Sequence, residues 1–107
     1  MRDGWEAEAE NWAAFARTPG RDRSHEEVNL PVLRAVLPAP GRRTLDLACG
    51  EGRLSRYLRS AGHRVAGIDA APTMVRLAAG QQDAPPAVLA DAAARIPIFL
   101  HLRAVKQ

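Results

Sequence analysis

Two glycines one residue apart, set between a run of strand length and a run of helical period, constrain the possible folds of this chain most tightly. Thr44-Leu45-Asp46-Leu47-Ala48 reads as a short apolar strand and feeds directly into Cys49-Gly50-Glu51-Gly52. Glycine accepts positive φ and carries no Cβ, so the chain can turn sharply there and let a ligand approach the main chain. Leu54, Tyr57, Leu58 and Ala61 then recur at the spacing of one helix face, and Gly62 stands at the expected stop. Residues 64–68 form a second strand run, which Asp69 ends 19 residues after Gly50. In a βαβ unit an acid near that spacing can accept hydrogen bonds from a ribose.

The stretches LDLACGEG and GIDAAPTMVRLA resemble the first two motifs of the class I S-adenosylmethionine-dependent methyltransferases, and the resemblance runs from about Trp5 to Pro97. It implies an α/β fold: a Rossmann-like doubly wound parallel sheet, of which this chain would hold the first three strands in the order 3-2-1 behind N-terminal helices. It also implies S-adenosylmethionine as cofactor. On that resemblance the loop of Ala48, Cys49, Gly50 and Gly52 cradles the methionine part, and Asp69 holds both ribose hydroxyls. Ala70 and Met74 would touch the adenine ring, and Asp91 with Ala92 would meet its amino group. Met74 on an apolar stripe serves equally well as core, and Asp91 as a turn former.

A nicotinamide dinucleotide site is the nearest rival, because Gly50-x-Gly52-x-x-Ser55 approximates its glycine fingerprint with a serine in the third place. Asp46 separates the two. An acid inside the first strand would repel a pyrophosphate and attract the cationic amino and sulfonium groups of S-adenosylmethionine. Cys49 adjoins a helix N-terminus, where thiol pKa values can fall. No histidine lies near it in sequence, and related methyltransferases carry a small residue here, so Cys49 is expected to be structural. Glu51, between the glycines, is expected to give local stabilisation at the helix N-terminus.

Three segments are expected: an N-terminal helical part, 1–41; a partial cofactor-binding domain, 42–97; and a divergent tail, 98–107. Trp5, Ala9, Trp12 and Ala16 follow a helical period, with Phe15 beside them, and predict a helix over residues 4–17. Its tryptophans are expected to pack against the domain, with a substrate-facing position as the alternative. Ser24-x-x-Glu27 has capping-box spacing, but Pro31 would disrupt a helix running on from there, so a second helix is expected to start with a cap at Asn29. Leu30, Leu33, Val36 and Leu37 should line one of its faces. Pro72 opens a further helix that Ala71 cannot cap. Residues 87–90 form a third strand run, ended by Asp91. After Pro97 the family pattern fails, and the chain is expected to be shortened after its third strand.

The net charge is +3, divided as −3 over residues 1–27 and +6 over residues 28–107. Arginine outnumbers lysine fourteen to one, and the basic residues lack interleaved aromatics, so a solvated face is expected rather than nucleic-acid binding. No metal site is expected from isolated histidines such as His25. The absence of an apolar run long enough for a membrane span, the lack of a signal-like start and the single cysteine lead to a cytoplasmic expectation.

The functional expectation is a methyltransferase acting on a small molecule, with no base or acceptor pocket assigned. The alternative is a non-catalytic remnant that binds cofactor or another chain. Without strands beyond the third, the first strand would be an open apolar edge, and pairing through it, as a homodimer, is expected unless the tail covers it.

Overall fold

The computed structural model describes residues 2–41, 43–81 and 84–89. Helix α1 spans Arg2–Arg17. A second helical run begins at Arg23, widens into a π-helical turn at His25–Asn29 and continues as α2, Leu30–Val36. Strands β1 (Thr44–Leu47), β2 (Val65–Asp69) and β3 (Ala87–Leu89) alternate with α3 (Arg53–Ser60) and α4 (Pro72–Ala79). All three strands are parallel, in the order β1-β2-β3, which is the Rossmann-like half-sheet the sequence implied. Two right-handed crossovers running in one direction put α3 and α4 on the same face.

The register shows what each face carries. Asp46 pairs with Gly67 and looks toward α3, where Ser55 donates to it. On the other face Leu47, Ile68 and Val88 fall in one row, beside Leu45 and Ala66. Leu45 and Val88 remain 59% and 55% exposed there.

Helix α1 packs on α4. Ala9, Ala71 and Met74 form the buried core between them, with Trp12 and Leu77 against it. The expected stripe is present, but its buried centre is Ala9 and Ala13, small residues that let two helices approach closely, while Trp5 stays at the exposed margin. Trp12 is covered on its other side by Trp5, Phe15 and the Arg53 guanidinium, so it packs against the domain as expected.

The expected start of the second helix is corrected. Asn29 has helical backbone angles and makes no cap, and Ser24 is helical too. Asp22 caps instead: its Oδ1 accepts the amide of His25 at 3.1 Å. The run passes Pro31 because the preceding turn is widened, with the Leu30 amide bonding His25 O. A wider turn carries the Glu27 carbonyl away from the proline ring that would otherwise strike it. Of the residues expected on one face, Leu30, Leu33 and Leu37 are half-buried, whereas Val36 is exposed in line with Val28 and Val32.

Ala71 provides no side-chain cap for α4, as expected. The missing acceptor comes from α1: Glu6 takes the Thr73 amide at 2.9 Å and the Thr73 hydroxyl as well. The Thr73 hydrogen bonds hold the Glu6 carboxyl below its ordinary value of 4.5. The folded state therefore favours the charged form, and this contribution is complete at neutral pH and lost as pH falls through the folded value. Thermal melts should show stability dropping as the pH goes below 4.5, with a shallower drop for Glu6→Gln. An equally steep drop in that variant would assign the acid sensitivity to other carboxylates.

Among the described residues no helix is long and apolar enough to cross a membrane. No group of three or more histidine, cysteine and acidic side chains is placed to hold a metal there. Asp91, Ala92 and the segment 98–107 lie outside the described residues.

Candidate functional site

The loop that follows β1 leaves the strand at Leu47, one residue earlier than expected, and alternates left-handed residues: Ala48 at φ +55°, Gly50 at +56° and Gly52 at +91°. Ala48 holds a conformation that disfavours a side chain, a local strain of the kind found at ligand-binding turns. Three backbone hydrogen bonds hold the turn: Cys49 N to Ile68 O, Gly52 N to Cys49 O, and Arg56 N to Gly52 O. The last of these is the first turn of α3, whose N-terminal amides open onto the loop.

Asp69 closes the site from the end of β2. Its Oδ2 accepts the Gly50 amide and its Oδ1 the Ala71 amide, each at 2.9 Å. One carboxylate thus ties the glycine loop to the turn before α4 and sets Ala70 between them. Each oxygen keeps a second lone pair for a further donor.

The glycines do different work. A Cβ on Gly50 would meet nothing within 4 Å, so this residue borders open space. A Cβ on Gly52 would lie 3.0 Å from Ala78 Cβ and 3.1 Å from an Arg56 nitrogen. Gly52 therefore lets α4 close onto the loop, whereas Gly50 leaves space beside it.

Beneath the loop, Asp46 is 8% exposed and accepts the Ser55 hydroxyl at 2.6 Å. Cys49 lies on β2: a Cβ at Gly67 would stand 2.7 Å from its Sγ, and 3.2 Å from Ser55 Oγ. In a dinucleotide fingerprint the third glycine permits close helix–strand packing. Here Ser55 occupies that place and Gly67, in the strand, supplies the clearance. Burial pushes the Cys49 thiol up to about 12, with Asp46 and Asp69 adding to the effect. A thiol held protonated is no nucleophile at neutral pH, in agreement with the structural role expected for it.

Glu51 exceeds its expected local role. It is 2% exposed and receives two guanidinium groups: Arg17 Nε at 2.7 Å from the end of α1, and Arg56 Nη2 at 2.7 Å from α3. Arg56 also donates to the Glu51 carbonyl, and Arg17 to Leu77 O in α4. Loop, α1 and α3 thus converge on one carboxylate, and Arg17 ties α4 to them through Leu77 O. Met74, by contrast, sits 2% exposed in the α1–α4 core. Glu6, Arg17 and Gly67 carry no motif and were missed; only the glycine inside a strand run was a signal of close approach.

The methyltransferase domain family matches residues 44–98, half of the chain, across the loop, Asp69 and all three strands. The chain belongs to that family. The chain is 37% identical over 83 residues to malonyl-[acyl-carrier protein] O-methyltransferase of Pseudescherichia vulneris, covering 74% of this chain and 33% of the relative. It is 41% identical over 51 residues to a ubiquinone biosynthesis O-methyltransferase of Xanthomonas campestris pv. campestris, covering 48% of this chain and 21% of that one. Among solved structures, the TehB-like SAM-dependent methyltransferase of Corynebacterium glutamicum superposes with a TM-score of 0.60 at 30% identity, over 85% of this chain and 47% of that one. The chain thus spans a third or less of the length of the curated relatives it matches. The family and its solved relatives imply S-adenosylmethionine as the cofactor.

Proposed function

We propose that this chain binds S-adenosylmethionine across the glycine loop and Asp69 and serves methyl transfer to a small-molecule acceptor. The observation that carries the reading is Asp69, whose two oxygens are oriented by Gly50 N and Ala71 N with lone pairs to spare. Such a carboxylate suits the adjacent hydroxyls of a ribose. Gly50 leaves room at the loop for the methionine part, and Asp46 supplies negative charge beneath it for a cationic ligand. Ala48, Cys49 and Gly52 shape the turn, and Ala70 borders the place for adenine, while Met74 acts by positioning α4. Asp91 and Ala92, which complete the proposed set, lie outside the described residues.

When bound, the cofactor supplies an electrophilic methyl group on a sulfonium. The chain's own contribution is orientation, because displacement at that carbon depends chiefly on how the reactants are held. A small-molecule acceptor accords with the names of the two relatives.

Asp69→Ala should weaken S-adenosylmethionine binding about thirtyfold by calorimetry, the scale of lost hydrogen bonds to a charged group. Unchanged affinity in a folded variant would remove Asp69 from the site. We also propose that the chain pairs with a second copy through β1, whose outer edge is unpaired among the described residues. Sedimentation equilibrium should give a dimer that Leu45→Lys weakens; a monomer at tens of micromolar would sink that part.

A further inference from the structure

Opposite the loop, at the N-terminal ends of β1 and β2, a solvent-open cleft of about 440 Å³ is lined by Arg43, Arg59 and Arg64, with Thr44 and His63 beside them. Among the described residues no carboxylate lines it. Of the eleven described arginines, seven are engaged: Arg2, Arg17, Arg23, Arg53, Arg56 and Arg76 with carboxylates, and Arg34 with the Tyr57 hydroxyl. Of the four that have no such partner, three meet at this cleft, and the fourth is Arg21.

The three come from separate segments that the fold holds together. Arg43 leads into β1, Arg64 leads into β2, and the Thr44 amide bonds Arg64 O at 2.7 Å. Arg59 lies in the last turn of α3, where the Gly62 amide closes on Arg59 O at 2.9 Å. His63, 6% exposed, lies against the Thr44 hydroxyl at 3.3 Å. Three like charges sharing one cleft repel each other unless an anion joins them, and guanidinium forks match phosphate oxygens in geometry. The volume falls in the lower range of small-ligand sites, larger than a single phosphate needs.

We propose that this cleft is a second binding site, for a small ligand bearing a diphosphate or similar multiply charged phosphate group. It lies at the opposite end of the sheet from Asp69 and does not depend on the methyltransferase reading. The test is calorimetric titration of the whole chain with inorganic pyrophosphate at low and high salt. One saturable site is expected, weakening as salt screens it. The double substitution Arg59→Gln with Arg64→Gln should lower its affinity about tenfold or more, at about fivefold for each exposed ionic contact. Arg21→Gln should leave it unchanged, and the urea midpoint should persist in all variants. Absence of saturable binding at millimolar pyrophosphate would overturn the proposal, as would an equal loss in Arg21→Gln. Tighter binding to a DNA duplex than to pyrophosphate would also overturn it, assigning the surface to nucleic acid.

Discussion

Glu51→Ala should lower the unfolding free energy by about 3 kcal/mol, measured by urea denaturation, because it leaves two guanidinium groups facing each other without their shared carboxylate. Arg17 and Arg56 are each 28% exposed, so water relieves part of the cost, and the value sits at the low end for a broken buried pair. Glu51→Gln should recover only part of the loss, since an amide accepts hydrogen bonds but brings no charge. The substitution should also loosen the loop, so cofactor affinity should fall with stability. A loss below about 0.5 kcal/mol, the range of ordinary surface changes, would mean that the arginines find other partners.

Gly67→Val should be equally damaging, at about 3 kcal/mol, through overpacking rather than lost charge. Its side chain would need the volume that Cys49 occupies, with Sγ 2.7 Å and Cβ 2.9 Å from the new Cβ. Cys49 lies in the loop next to Gly50, so the displacement should pass directly to the cofactor side. Combining Gly67→Val with Cys49→Gly should recover at least half of the loss in a double-mutant cycle, because the second change removes the atoms in collision. Simple additivity of the two losses would place the damage elsewhere, at Ser55 or in the strand itself.

Much of the fold was legible because its signals are local. The period of residues 54–61, the glycine loop and Asp69 each announce their structure within a few residues, and the parallel half-sheet follows from their order. The start of the second helix was misread because Pro31 was weighed against a regular α-turn, while the chain widens one turn to pass it. The site was legible where it coincides with the motif. Glu51 was visible as a residue but not as a junction, since Arg17 stands 34 positions away and nothing local links them. The Glu6–Thr73 cap, spanning 67 positions, was hidden for the same reason.

Those two long-range contacts bear on where this domain begins. The family match starts at Thr44, yet the carboxylate that finishes α4 belongs to Glu6 and one of the cations holding the glycine loop belongs to Arg17. A piece cut at the edge of shared sequence would keep every motif residue while exposing the Met74 face and stranding Glu51 with half its counter-charge. Helix α1 thus packs into the recognised segment although it lies outside the match. Grafting this loop into another scaffold would require bringing α1 along with it.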